Sequence, residues 1–382
     1  MDTTASLTRK PPLVSLTFFR FWAAFYVFAF HLHLRWPLTV PHLLSRPWKH
    51  FLNQGAVGMT FFFVLSGFIL AYNYEGQNLI ANFRGYFIKR VARIYPVYLF
   101  CLLLSVGWFH PGIPQPATIS RHPWLAQALA NLLLGIQDIF CLQAWFPQTF
   151  NYWNNAGSWS LSAEMFFYLL FPFLLFHLGA LSTRALWRAA FIIYALCLLP
   201  GLSDYFFPPM PGPVYYATPI YRLPEFTLGV IAALLLARQP MSERTAKRGL
   251  IAAAGLLTVY LAASNAQGWL IHHWLVVPCF MLIVAAGASL HSGAFARLCA
   301  WRPFQILGES SYSFYLVQTV TIFLAIESHD SLANTFPILA NPLVWWGCVG
   351  IATLIPAVLV WRAIEIPART ALLRRFSAAP KP

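Results

Sequence analysis

Charge is what this chain has least of. Only 9% of its 382 residues are Asp, Glu, Lys or Arg, 59% are hydrophobic, and the acids number 11. Soluble domains carry about 25% charged residues, so a soluble globular fold is excluded. The mean hydropathy of +0.62 points to a polytopic membrane protein. Paired cysteines are missing as well. Cys101, Cys141, Cys197, Cys279, Cys299 and Cys348 form no C-x-x-C pair, and most lie in apolar runs. They read as small buried hydrophobes, not as a disulfide frame or a zinc site. No small-residue cleavage site follows Arg9 and Lys10, so the first apolar run reads as a retained signal-anchor. No basic soluble domain carries the net charge of +14, which excludes a nucleic-acid partner. The chain shows no long linker and no strong internal repeat. It reads as one domain, 1–382, with short cytoplasmic tails and no appended soluble domain.

The apolar runs place spans near 16–34, 56–74, 94–109, 164–180, 187–203, 221–237, 249–265, 272–290, 304–326 and 343–362. Each approaches the ~20 residues needed to cross a bilayer. The 15 Trp, 16 Tyr and 34 Phe suit interfacial belts and packed spans. Basic clusters then set the topology, because Lys and Arg are retained on the cytoplasmic side. Arg9 and Lys10; Arg84, Lys89, Arg90 and Arg93; Arg184 and Arg188; Arg238, Arg244, Lys247 and Arg248; Arg297 and Arg302; and the C-terminal arginines mark that side. The run 124–140 breaks the alternation. If it crossed, Arg184 and Arg188 would land outside. It is therefore expected to be re-entrant or interfacial; the competing reading is an eleventh span. The expected fold is an all-α polytopic helical bundle of about ten spans with both termini cytoplasmic.

Several segments put polar chemistry inside this apolar frame. Arg20 and His31 lie eleven positions apart in the first run. On a helix that is a rise of ~16 Å and a return to within about 20° of the same face. The stripe is expected to carry Arg20 near a membrane surface and His31 near mid-depth. Ionisable groups at that depth face a protein interior or a wet cavity. The plain alternative is an interfacial arginine and a satisfied core histidine. Arg90 and Arg93 share a helix face at the cytoplasmic mouth, where guanidinium forks suit phosphates. Arg84 and Lys89 read as ordinary loop charges. In Gly157–Tyr168, Ser162 is a candidate helix cap with Glu164 in the first turn and Tyr168 one turn on. The run Gly308–Gln318 opens another span on hydroxyls and an acid, which must find partners within the protein. Glu225 and Glu365 are further acids at span ends.

Five ordered motifs carry a resemblance. They are Arg20 and His31 with ten residues between; Gly55-Ala56-Val57-Gly58-Met59-Thr60-Phe61-Phe62-Phe63-Val64-Leu65-Ser66-Gly67-Phe68; Arg90-Val91-Ala92-Arg93-Ile94-Tyr95-Pro96; Trp159-Ser160-Leu161-Ser162-Ala163-Glu164; and Ser311-Tyr312-Ser313-Phe314-Tyr315-Leu316. Over about 13–370 the chain resembles the acyltransferase-3 family of integral membrane acyltransferases, which includes bacterial O-acetyltransferases of glycans. Gln318 stands where many relatives carry a histidine, so any role of that histidine is absent here.

The resemblance implies an O-acyltransferase in a bacterial inner membrane. It implies transfer of an acyl group, acetyl by expectation, from cytoplasmic acyl-CoA as co-substrate to a hydroxyl at the outer side. The acceptor is expected to be a glycan, a lipid-linked sugar or another hydroxyl compound. No metal is expected. His31 is the expected general base, Glu164 its orienting or charge-balancing acid, and Arg20 a donor-holding or ion-pairing group. Arg90 and Arg93 are the expected donor-phosphate ligands. Trp159, Ser160, Tyr168 and Tyr312 are the expected substrate-binding residues. A polytopic exporter of a glycan or anionic solute is the alternative, since broken helices and re-entrant segments occur there too.

Overall fold

The computed structural model describes residues 11–38, 42–105, 123–146, 158–207, 214–264 and 270–377. Arg9, Lys10 and Gly157 lie outside them. Among the described residues sixteen α-helices follow in order. The first six are α1 Val14–Arg35, α2 His42–Asn53, α3 Gly58–Tyr74, α4 Phe83–Ser105, α5 Pro123–Ile139 and α6 Trp159–Gly179. Then come α7 Thr183–Phe206, α8 Val214–Ala217, α9 Pro219–Arg238, α10 Glu243–Ala263 and α11 His273–Ala288. The last are α12 Gly293–Ala300, α13 Arg302–Glu309, α14 Ser311–Thr335, α15 Pro342–Val360 and α16 Ile366–Ser377. Among the described residues there is no strand, as the all-α expectation requires.

Local chemistry sets many of the boundaries. Ser182 caps α7 by accepting from the Ala185 N–H at 3.3 Å, and Ser242 caps α10 from the Thr245 N–H at 3.2 Å. Asn341 caps α15 at Leu343, with Pro342 in the first turn, where its missing N–H costs nothing. Gly76, at φ +77°, supplies the turn beyond the end of α3. Two expected boundaries move. The run placed at 304–326 is broken at Ser310: α13 is a separate short helix, and α14 runs on to Thr335. The span placed at 94–109 starts at Phe83, because the basic residues before Ile94 continue the helix.

Seven helical segments among the described residues are long and apolar enough to cross a membrane. The count is eight if α11 and α12, bent by 90°, form one span. The expectation of ten crossings rests on adding α4 and α14. These are 23 and 25 residues long, but charge and hydroxyls lower their apolar character.

Contacts gather the basic loops at one end of the bundle. Gln305 donates to the Val14 carbonyl at the start of α1, and Tyr72 at the end of α3 donates to the Pro11 carbonyl. Arg238 at the end of α9 donates to the Gly179 carbonyl at the end of α6. Residues α3 and α9 share a tight parallel seam. Gly67 lies against the Phe226 carbonyl and Gly229 against the Val64 carbonyl, where a methyl at either position would overlap backbone. Small residues allow this approach between membrane helices.

The 17 residues of α5 extend about 26 Å, short of the ~30 Å hydrocarbon layer. Its far end lies against the middle of α4. Tyr95 donates to the Ile139 carbonyl at 3.0 Å, and Tyr98 to the Asp138 carbonyl at 2.6 Å. The chain then turns through Cys141, at φ 54°. We expect Ser182→Cys to be labelled from the cytoplasmic side and Gln148→Cys, which lies outside the described residues, only from the opposite side. Impermeant maleimide labelling of oriented vesicles checks this, and cytoplasmic labelling of Gln148→Cys would overturn the topology.

Candidate active site

Five helices meet around one internal cavity. It is lined by Arg20 of α1, Arg90 and Arg93 of α4, Ser160, Glu164 and Tyr168 of α6, and Tyr312 of α14, with Ser66 of α3 between them. Its volume is about 70 Å³, space for a few water molecules or a short acyl group. Residues from all five motifs of the sequence thus converge. Glu164 and Tyr168 stand one turn apart, and the Tyr168 hydroxyl donates to Glu164 Oε2 at 3.2 Å. The Arg90 guanidinium donates to the Tyr74 hydroxyl at 3.3 Å and lies over the rings of Tyr74 and Tyr86. Tyr312 donates to the Ile94 carbonyl at 2.9 Å, and Ser160 shares a 3.0 Å hydrogen bond with Tyr315.

Arg20 and Arg93 feel each other and the carboxylates of Glu164 and Glu365. Yet among the described residues no carboxylate oxygen lies within 4.0 Å of either guanidinium. Two cations therefore face the cavity with their N–H groups uncommitted. In a low-dielectric interior such donors are strong ligands for a carbonyl oxygen or an anion. Glu365 was not expected here. A π-helical turn, Trp361–Glu365, joins α15 to α16 and turns this side chain inward, where Ser313 donates to its Oε2 at 2.6 Å. Such turns often sit at functional sites, but nothing in the local sequence announces one.

The structure corrects three expectations. His31 lies one turn from the end of α1 at Arg35, not at mid-depth, and does not line this cavity. Its half-buried ring has no hydrogen bond among the described residues. Glu164 is not its partner: that carboxylate is held by Tyr168 and faces Arg93 and Arg20. Ser162 is not a helix cap. Ser158 occupies the cap position, and Ser162 is buried inside the first turn.

Trp159 lies beside the cavity rather than on it. Its ring packs 6.0 Å from Phe63 and 4.7 Å from Tyr216. Behind it is a buried network that the sequence reading left as an isolated acid. Arg222 Nε lies 3.1 Å from Glu225 Oε1, and Nη2 donates to Glu225 Oε2 and to Thr60 Oγ1, both at 3.1 Å. His273 Nε2 is 3.1 Å from Glu225 Oε1, and Cys197 Sγ is 3.7 Å from His273 Nδ1. The guanidinium carbon is 5.0–5.8 Å from the ring centres of Tyr216, Phe63 and Trp159. Cys197, Glu225 and His273 present metal-type atoms within 4.8 Å of one another. Arg222 already engages both carboxylate oxygens, and a divalent ion would sit beside that cation. The cluster is a charge-assisted hydrogen-bond network across α3, α7, α9 and α11.

Comparison with known families now decides the class. The acyltransferase-domain family of the acyltransferase-3 type matches residues 13–362. The chain belongs to this family. It is 28% identical over 337 residues to acyltransferase MdmB of Streptomyces mycarofaciens, covering 81% of this chain and 79% of that protein. It is 25% identical to the putative peptidoglycan O-acetyltransferase YrhL of Bacillus subtilis strain 168, covering 94% of this chain and 55% of YrhL. Its identity to O-acetyltransferase OatA of Staphylococcus aureus is 24%, over 86% of this chain and 55% of OatA. The chain thus spans about half the length of YrhL and OatA. No solved structure matches it. Family and helices together make it a multi-pass membrane acyltransferase.

Proposed function

We propose that this chain is an O-acyltransferase that moves an acyl group, acetyl in the first instance, from acyl-CoA to an acceptor hydroxyl. The donor arrives at the basic end, which the positive-inside tendency makes cytoplasmic; the acceptor, a glycan or lipid-linked sugar, arrives at the opposite face of the inner membrane. The observation that carries this reading is the pair of uncommitted guanidiniums, Arg20 and Arg93, facing a cavity of acyl size. They hold the donor carbonyl, and Glu164 balances their charge without quenching them. Ser160 and Tyr315, hydrogen-bonded to each other, line the side leading toward Trp159.

The chemistry balances with few parts. His31 takes the proton of the acceptor hydroxyl as its oxygen attacks the thioester carbonyl carbon. The C–O bond forms, the C–S bond breaks, and the coenzyme A thiolate leaves and is protonated. The α carbons of Arg20 and His31 are ~16 Å apart along α1, so the acyl end must pass outward from the arginines before it meets the acceptor. Purified protein in proteoliposomes, given radiolabelled acetyl-CoA and a glycan acceptor, should release free coenzyme A and form an alkali-labile acetyl ester. Ester formation from another donor with acetyl-CoA left intact would overturn the donor assignment.

Arg90 and Arg93 belong to the donor side in this reading. Arg93→Lys replaces a fork by a point charge and should weaken acetyl-CoA binding roughly tenfold or more, the scale of one charge-assisted hydrogen bond. Equilibrium binding of labelled acetyl-CoA measures it. Unchanged affinity in the double Arg90→Ala, Arg93→Ala variant would show that the two are topology signals only.

A further inference from the structure

A second, larger cavity of about 700 Å³ opens at the basic end, between the start of α1 and the end of α3. Pro11, Leu16 and Thr17 form one wall, and Tyr72 and Asn73 the other. Its deep end is formed by Arg20, Ile69 and Arg93, and the same three residues line the inner cavity. The two spaces are therefore back to back, divided only by two arginines and an isoleucine. Their sizes differ tenfold. The outer one falls in the ~300–1,000 Å³ range of small-molecule sites; the inner one holds a few heavy atoms.

The walls are chemically uneven. Leu16, Pro11 and the Tyr72 ring are apolar, with Tyr72 stacked on Phe68 at 6.3 Å. Asn73 is exposed and its Nδ2 donates to the Ile69 carbonyl at 2.7 Å, while its Oδ1 has no hydrogen bond among the described residues and can accept from an amide N–H. The cations stand only at the throat. An occupant that is slender, partly apolar, carries amide N–H groups and ends in a polarisable carbonyl fits this sequence of surfaces.

We propose that this vestibule is the donor entrance, and that it takes the acylated pantetheine arm of an acyl thioester. In the resting complex the arm lies along Tyr72 and Asn73, the thioester carbonyl sits between Arg20 and Arg93 and the acyl group occupies the inner cavity; from there the acyl end advances outward along α1 to meet the acceptor at His31. The nucleotide end of coenzyme A stays outside the membrane. This rests on the acyl-CoA reading above and adds the route and the residues. The bottleneck also sets chain length, because the inner cavity accepts a two-carbon group and resists a long one.

The full chain in detergent tests this with radiolabelled acetyl-CoA as probe. Thr17→Trp and Asn73→Trp put an indole into the vestibule and should each weaken binding tenfold or more. Arg188→Trp, exposed at the same basic end on α7, should bind as the wild type does. A second measurement covers the case of misfolded tryptophan variants. Cys348 is the one exposed native cysteine; the other five are buried. In a Cys348→Ser background, Asn73→Cys should react with a maleimide more slowly when acetyl-CoA or acetyl-pantetheine is present. Wild-type protein that binds acetyl-CoA, with both tryptophan variants binding equally well or with no protection at Asn73→Cys, overturns the entrance alone. Wild-type protein that binds no acyl thioester overturns the donor reading and the entrance with it.

Discussion

His31→Ala should lose acyl transfer by ~10²–10⁴-fold, the usual contribution of a positioned general base, while the protein still inserts and folds. The expectation follows from what surrounds the ring. Among the described residues the imidazole of His31 has no hydrogen bond and no carboxylate within ion-pair distance, so no partner has already claimed its nitrogens. His33, two residues on, already accepts the Leu38 N–H, and His273 is held by Glu225 and Cys197. His31 is the free base at the end of α1 far from the basic loops. Because it lies three turns beyond Arg20 and outside the inner cavity, the same substitution should leave acetyl-CoA affinity unchanged. This combination separates a catalytic histidine from a donor ligand. Initial rates of coenzyme A release, with donor binding measured on the same preparation, check it. Turnover near the wild-type level in His31→Ala would end the assignment, and Glu164 would be the next base to test.

Most of the inner cavity was legible in the sequence, for a simple reason. A charged or hydroxyl group inside an apolar run has no solvent to satisfy it, so it must face another such group. That argument picks out Arg20, Arg93, Glu164, Tyr168 and Tyr312 without any structure, and they do line one space. It does not say which group meets which. Glu164 was expected at His31 and stands instead against Tyr168 and the arginines, because helical spacing fixes faces within a span but not the apposition of spans. Glu365 was missed because it depends on one π turn. Arg222 was hidden in plain sight beside Glu225: an i, i+3 pair of opposite charges looks like a span-end ion pair. Only the parallel seam of α3 on α9, set by Gly67 and Gly229, reveals that it lies at the centre of a network. The break at Ser310, between α13 and α14, was unreadable because the residues on both sides form helix equally well.

The largest stability effect should come from that network. Glu225→Ala removes the only carboxylate that faces Arg222 among the described residues and leaves a guanidinium of zero exposure without that counter-charge. Breaking a buried pair from one side typically costs about 3–5 kcal/mol, a large fraction of the roughly 5–15 kcal/mol margin of a folded domain. His273 loses its partner in the same step, and the apposed outer halves of α3, α7, α9 and α11 lose their common tie. Thermal unfolding in detergent should therefore fall well below that of the wild type. Removing both charges is a different experiment. Arg222→Met with Glu225→Leu leaves no isolated ion, keeps comparable volume, and should recover much of the loss, since a buried ion pair is weak evidence of net stabilisation against an apolar replacement. The double variant separates stability from function. Met at 222 lacks the cation that now faces Trp159, Phe63 and Tyr216, worth ~0.5–2 kcal/mol in such cages. Trp159 opens the helix that carries Ser160 and Glu164 to the cavity. A double variant that is stable yet slow would mean that Arg222 holds Trp159, and through it the α6 end of the site. If Glu225→Ala unfolded with the wild-type midpoint, the carboxylate could not be the charge partner that the 3.1 Å contacts make it.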